Sequence, residues 1–261
     1  MSPRTTRAGR LPGAIRPPSG RQAVTPKQVL VIFDFDNTLV RSRIDFAGMK
    51  RAMVRYLASH GVPGALKAAR RLAAPEILEM AREHDRRPYP GPGRPGASSA
   101  SPPDPLEPSL WEIVTAFEAR GMEGAVPEPS APAVMAELRR RGFWLAVLTN
   151  NARDVTRRVL EEHHLADFFH RIAGREDVPR LKPAGDGVAH LLEAFPQVRR
   201  AFLVGDSWVD GEAAARGGAR FIAVGAGGGR TCRVSPWRRV SSLEQVLALD
   251  LLQDRPPGAP G

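Results

Sequence analysis

The sequence predicts an α/β protein: a doubly wound, mostly parallel sheet with a helical domain inserted after its first strand. Three observations carry that expectation. Short apolar runs rich in β-branched and aromatic residues alternate with stretches of helical periodicity, the rhythm of parallel strands joined by crossover helices. Between residues 45 and 121 the rhythm stops, and apolar residues recur at helical spacing alone. Hydrophobic residues make up 42% of 261 positions, enough for a full core and a smaller second module.

The elements follow in chain order. Val29–Phe33 is an unbroken apolar run of strand length, expected to be buried on both faces. Phe46, Met49, Met53 and Leu57 then mark one helix of the insert, and Leu110, Ile113, Val114 and Phe117 another. Ser109 and Glu112 have the spacing of a capping box, with Gly121 as the expected stop. Between these helices, residues 87–108 hold eight prolines and three glycines among 22 positions, which predicts a loop. Past the insert, helical patterns near 131–141, 152–163, 186–195 and 209–216 alternate with strand-like runs. Those runs are Phe143–Leu148, Ala201–Val204 and Phe221–Val224, with His170–Ala173 less apolar than the rest. Ser241–Leu252 reads as a closing helix. The expected organisation is an α/β core over 29–44 and 122–252, a helical insert over 45–121, and unstructured tails at 1–28 and 253–261.

Charge narrows the choice of partner. A formal net charge of +10 invites a polyanion. Yet residues 1–33 carry six basic side chains, from Arg4 to Lys27, and no acid, so much of the excess lies in a Pro/Arg-rich tail. Nucleic acid is therefore not the expected partner. No apolar run approaches the roughly 18 residues that span a bilayer, and no secretory h-region opens the chain. One cysteine, Cys232, excludes an internal disulfide or a multi-thiolate metal site and suits a reducing cytoplasm. Arginine outnumbers lysine 34 to 4, so a lysine in a chemical motif stands out as a place where a compact ammonium is needed.

The chemistry gathers at the predicted strand ends, where ligands sit in open α/β sheets. The first strand runs into Asp34-Phe35-Asp36-Asn37-Thr38-Leu39. Two carboxylates at alternate positions suit acid/base work or a hard cation. The strand at 143–148 delivers Thr149 and Asn150, a hydroxyl and an amide suited to phosphate oxygens. Lys182-Pro183 follows the weaker strand, and Gly205-Asp206-Ser207-Trp208-Val209-Asp210 follows the strand at 201–204. Four strand ends thus supply an acid pair, a hydroxyl, an ammonium and a second acid pair.

With these four motifs (DFDNTL, LTN, LKP and GDSWVD) the chain resembles phosphatases of the haloacid dehalogenase superfamily, close to the phosphoglycolate phosphatase-like branch. The resemblance spans residues 29 to about 250 and implies a Rossmann-like core with a cap domain at 45–121. It implies a Mg²⁺-dependent hydrolysis of a small-molecule phosphate monoester through an aspartyl-phosphate. Asp34 would be the nucleophile and Asp36 the general acid/base. Thr149, the Asn150 backbone and Lys182 would hold the phosphoryl group. The metal would take Asp34, Asp206 and the carbonyl of Asp36, with Asp210 as a ligand or an orienter of its waters. Asn37 stands where many members carry glycine, and Asn tolerates the left-handed backbone such a turn requires. Other features have structural readings: Gly225–Gly229 as a loop, His163-His164 as a helix end, and Arg41 and Arg43 as a solvated hinge. The remaining candidates for the chain as a whole are a nucleic-acid end phosphatase and a catalytically silent interaction module.

Overall fold

Val29–Phe33 (β1) is completely buried, and its side chains alternate between two cores. Val29, Val31 and Phe33 join one apolar cluster, whereas Leu30 and Ile32 join the other. Each such side chain contributes about 1.5–3 kcal/mol of transfer free energy when fully buried, so β1 belongs at the centre of the sheet. The computed structural model describes residues 24–68, 71–87, 104–225 and 234–253. Residues 1–23 of the Pro/Arg-rich tail, most of the predicted 87–108 loop, Cys232 and residues 226–229 lie outside them. Residues 24–28, expected to be unstructured, are instead ordered: Pro26–Gln28 form a 3₁₀ turn and Val24 packs against the core.

The other strands of the main sheet are Trp144–Leu148 (β4), Arg171–Ala173 (β5), Arg200–Gly205 (β6), Arg220–Val224 (β7) and Arg238–Val240 (β8). The order is β5-β4-β1-β6-β7-β8, parallel throughout. From β1 the chain first builds outward through β4 and β5, then crosses back to build β6, β7 and β8 on the other side. A crevice therefore opens beside the carboxyl end of β1, at the point where strand order reverses. Helices Ala131–Arg140 (α5) and Arg153–Glu162 (α6) cover one face, through Val134, Met135, Leu138, Val159 and Leu160. Asp186–Ala194 (α7) and Trp208–Gly217 (α8) cover the other, through Val188, Leu191, Ala213 and Ala214.

The insert is held by a device too short for sequence patterns to reveal. Val40–Arg41 (β2) pairs antiparallel with Val126–Pro127 (β3), so the chain leaves and re-enters the core side by side. Between them lie Phe46–Ser59 (α1), Ala65–Ala68 (α2), Ala74–Asp85 (α3) and Leu106–Met122 (α4). Met49, Met53, Leu57, Ile77, Leu78, Leu110 and Val114 form an apolar core separate from those of the sheet. No described helix is long and apolar enough to cross a membrane.

Three further expectations need correction. The α4 helix starts at Leu106, not at the Ser109–Glu112 box, because the Asp85 carboxylate caps it from α3. The Leu106 amide donates to Asp85 Oδ1 at 3.1 Å and Oδ2 at 3.0 Å. Pro108 is tolerated because a proline in the first turn lacks only an N–H that would have no helical partner. Gly121 does not end α4 but lies inside it, where a β-carbon would come within 2.5 Å of Ile44 Cα. Finally, Ser241–Leu252 forms only a short 3₁₀ helix over Leu243–Ala248. Its buried residues, Leu243 and Val246, are three apart, a spacing that 3₁₀ geometry brings into line.

Candidate active site

The turn after β1 sets the first two carboxylates. Phe35 is fully buried, and its carbonyl accepts from the Leu39 and Val40 amides at 3.0 and 3.1 Å, closing the turn. Its neighbours Asp34 and Asp36 both line the crevice. Asn37 sits at φ 60°, so the left-handed position expected of it is real. Its amide donates to the Val40 carbonyl at 2.7 Å.

Lys182 ties the strand ends together. Its Nζ donates to Asp34 Oδ1 at 2.5 Å and to Asp210 Oδ1 at 2.7 Å, with all three side chains buried. Asp210, at the third position of α8, also caps its own helix: Oδ2 accepts from the Ser207 amide at 3.1 Å and the Ser207 hydroxyl at 2.7 Å. Gly205 is required beneath it, since a β-carbon there would meet Asp210 Cγ at 2.5 Å. Asp206 accepts no side-chain hydrogen bond among the described residues, yet it lies with Asp34 and Asp210 in a group whose carboxylate oxygens fall within 4.8 Å of one another.

The segment just past β4 contributes three consecutive residues with three tasks. Thr149 is buried, and its hydroxyl accepts from the Asn151 amide at 3.1 Å. Asn150 does not present its side-chain amide to the crevice as the sequence suggested. The amide is occupied by the Lys182 backbone, with Nδ2 donating to the Lys182 carbonyl and Oδ1 accepting from its N–H, both at 2.9 Å. Asn150 thus places the lysine. Asn151 donates from Nδ2 to Asp36 Oδ2 at 2.6 Å, a role that nothing in the sequence indicated.

Burial dominates the electrostatics. It raises Asp34 well above the usual carboxylate range, with Asp210 adding to the rise and Lys182 opposing it. Asp36 is raised by burial against the pull of Ser42 and Asn151. Asp206 is pushed up to about 6 by burial and by Asp210. Burial alone would lower Lys182, but the carboxylates of Asp210 and Asp34 overcome it and keep the ammonium charged. Four carboxylates therefore crowd around one cation. An all-oxygen donor set with this surplus of negative charge fits a hard divalent cation.

Above these groups the crevice widens into a cavity of about 560 Å³. The insert supplies much of its wall, including Phe46, Met49, Leu78, Trp111, Val114 and Glu118. The features given structural readings keep them where described. Arg41 pairs with Glu128 at 2.7 Å beside β2 and β3. His163 caps α6, its Nε2 within 3.0 Å of the Ala125 carbonyl.

With this geometry in hand, known proteins provide the context. A family model for haloacid dehalogenase-like hydrolases matches residues 29–218. A phosphoglycolate phosphatase of Pseudomonas putida is 27% identical over 231 residues, covering 88% of this chain and 79% of that protein. One from Caulobacter vibrioides is 27% identical over 76% of this chain and 79% of its own length. One from Aquifex aeolicus is 30% identical, but over 42% of this chain and 54% of that enzyme. Among solved structures, a haloacid dehalogenase-like hydrolase from Bacteroides fragilis superposes with a TM-score of 0.57 at 22% identity, covering 83% of this chain and 98% of that one. A hydrolase from Pseudomonas syringae gives 0.57 at 21% identity, covering 84% and 95%. At such identities the superpositions establish the fold alone.

Proposed function

The chain belongs to the haloacid dehalogenase-like hydrolases, and from that premise we propose that it is a phosphatase, cleaving a small phosphate monoester through a phosphorylated Asp34. One observation carries the reading: the Lys182 ammonium joins Asp34 to Asp210 at the floor of a cavity that Asp36 and Thr149 also line. A buried ammonium in hydrogen-bonding contact with a carboxylate can neutralise negative charge as that carboxylate meets a phosphoryl group.

The chain's own residues account for each bond. An oxygen of Asp34 attacks phosphorus, forming the acyl phosphate and breaking the bond from phosphorus to the ester oxygen. Asp36, protonated, gives its proton to the departing alkoxide and becomes a carboxylate. It then takes a proton from water, whose oxygen attacks the same phosphorus. Phosphate leaves and the Asp34 carboxylate is restored. The raised position of Asp36 suits a group that must hold a proton before donating it. Thr149 and the Asn150 backbone would contact the phosphoryl oxygens, and Lys182 would lie against both them and Asp34.

Asp34, Asp206 and the carbonyl of Asp36 would hold the divalent cation, Mg²⁺ by the chemistry of the donors. When bound, it supplies positive charge against the phosphoryl oxygens and the crowded carboxylates. Asp210, whose two oxygens already accept from Lys182 and Ser207, would orient the site rather than ligate. Helices α1 to α4 would act as the cap that closes over the substrate.

Phosphate release from a panel of small monoesters with Mg²⁺ tests the proposal. Turnover is expected from the native chain and none from Asp34→Asn, whose amide is nearly isosteric but poorly nucleophilic. Native-like turnover by Asp34→Asn would dismiss the mechanism.

A further inference from the structure

We propose that Glu118 selects the substrate, by accepting a hydrogen bond from a hydroxyl or amino group on the alcohol portion of the ester. This rests on the phosphatase reading and deepens it, because it assigns the chemical class of the leaving group. Hydroxylated or amino-bearing phosphates are then substrates, and a phosphate ester bearing a nearby carboxylate is disfavoured.

The side chain of Glu118 is only 7% exposed, and it lines the same cavity as Asp34, Asp36 and Lys182. Its Oε2 accepts from Arg175 Nη1 at 2.7 Å. Its Oε1 has no hydrogen-bond partner among the described residues. A carboxylate offers about four acceptor positions, so one donor on one oxygen leaves this group under-satisfied. Burial pushes Glu118 up to about 7 even against the pull of Arg175. Oε1 faces the cavity without a protein donor, so it is free to accept from a ligand that enters.

Arg175 does not line the cavity. It stands on the core side, where its guanidinium stacks over Trp111 at 4.9 Å and its backbone amide donates to the Asn151 carbonyl at 3.0 Å. The cavity therefore meets the carboxylate and not its counter-ion. Around Glu118 the wall of α4 is apolar, formed by Trp111 and Val114. Above about pH 7, where Glu118 is mostly ionised, a substrate carboxylate placed against its cavity-facing oxygen would meet like charge that Arg175 offsets only from the far side. Lys50 and Arg71 also line the cavity, from α1 and the α2–α3 connection. If they governed recognition, the preference would be reversed.

The experiment compares kcat/KM of the full chain with Mg²⁺ on four small esters: glycerol 1-phosphate, ethanolamine phosphate, ethyl phosphate and phosphoglycolate. An activated aryl phosphate serves as a control. The native chain is expected to favour glycerol 1-phosphate or ethanolamine phosphate over the other two by at least about tenfold, and the better of the pair identifies the donor as hydroxyl or amine. In Glu118→Gln the ratio of the favoured ester to phosphoglycolate should fall by about tenfold or more, because the like charge is gone. Glu118→Asp should retain the preference in direction. A purely structural role would lower all four esters by one common factor, and this result would overturn the proposal. So would a native chain that prefers phosphoglycolate. Failure to turn over any ester, the aryl phosphate included, would instead strike the phosphatase reading itself.

Discussion

Asn151 donates its side-chain amide to Asp36 Oδ2 at 2.6 Å, across 115 residues of sequence. The other oxygen, Asp36 Oδ1, is buried with no donor in good bonding geometry among the described residues, although the Ser42 hydroxyl is near enough to the carboxyl to oppose its rise. One oxygen is thus held while the other is left for a proton that must be given to a leaving group and later taken from water. The Asn151 backbone is itself held, its N–H donating to the Thr149 hydroxyl and its carbonyl accepting from the Arg175 amide.

If Asn151 positions the general acid, Asn151→Ala should lower kcat on an alkyl phosphate by about 10- to 100-fold, part of the 10²–10⁴ that general acid catalysis supplies. KM should change little. An activated aryl phosphate, whose leaving group scarcely needs a proton, should lose far less. Steady-state kinetics on the two esters decide the matter, and equal losses on both would assign Asn151 a structural role only.

At position 182 arginine should not replace lysine. The ammonium reaches two carboxylates from a single point, whereas a planar guanidinium needs more room in a space that is already buried. We expect Lys182→Arg to lose at least about 100-fold in kcat, within the range of other electrostatic groups in active sites. Wild-type kinetics for this variant would show that charge alone matters there.

Metal binding can be read without catalysis. Adding Mg²⁺ should raise the thermal midpoint of the native chain, since a ligand that binds only the folded state stabilises it by mass action. At about 100 times the dissociation constant the gain is about 2.7 kcal/mol. Asp206→Asn, which removes a carboxylate from the group of three, should weaken this response. A midpoint in Asp206→Asn that rises with Mg²⁺ as in the native chain would exclude Asp206 from the site.

Glu118 should make stability depend on pH. Its folded-state value is raised from 4.5 to about 7, by burial first, with Arg175 opposing and Asp36 and Glu176 adding to the rise. The folded chain then binds the proton more tightly than the unfolded chain. This contribution is fully present below about pH 4.5 and is lost as pH climbs through about 7. The linked change is on the order of 3 kcal/mol. Denaturant unfolding from pH 4.5 to 7.5 should show a fall in the native chain that Glu118→Gln reduces. Parallel curves would assign the dependence to other groups.

Much of the fold was legible in the sequence because a strand buried on both faces admits only apolar residues. Val29–Phe33, with the runs ending at Leu148, Val204 and Val224, stood out on that ground. Strands outside this rule left a weak mark, as at the edge strand Arg171–Ala173, or none. Arg238–Val240 is an edge strand with two arginines, and the β2–β3 pair that ties the insert is two residues long on each side. The start of α4 was misplaced because its cap, Asp85, lies on another helix.

The sequence by itself determined which chemical groups are available and that the acids and Thr149 fall close to strand ends, because motif spacing is tied to the period of strand and helix. Asp34, Asp36, Thr149, Asp206 and Asp210 were all identified in that way, and Lys182 by its motif. Only the tertiary structure decided how those groups pair. Asn150 is occupied in seating Lys182, Asn151 rather than Asn150 presents its amide to the acid pair, and Glu118 is brought from the insert to the wall above them. The physical reason is distance along the chain: hydrogen bonds and burial act over a few ångströms, while the partners in them stand tens of residues or more apart. No local pattern encodes such a meeting, and it arises only when β1, β4 and β6 close side by side.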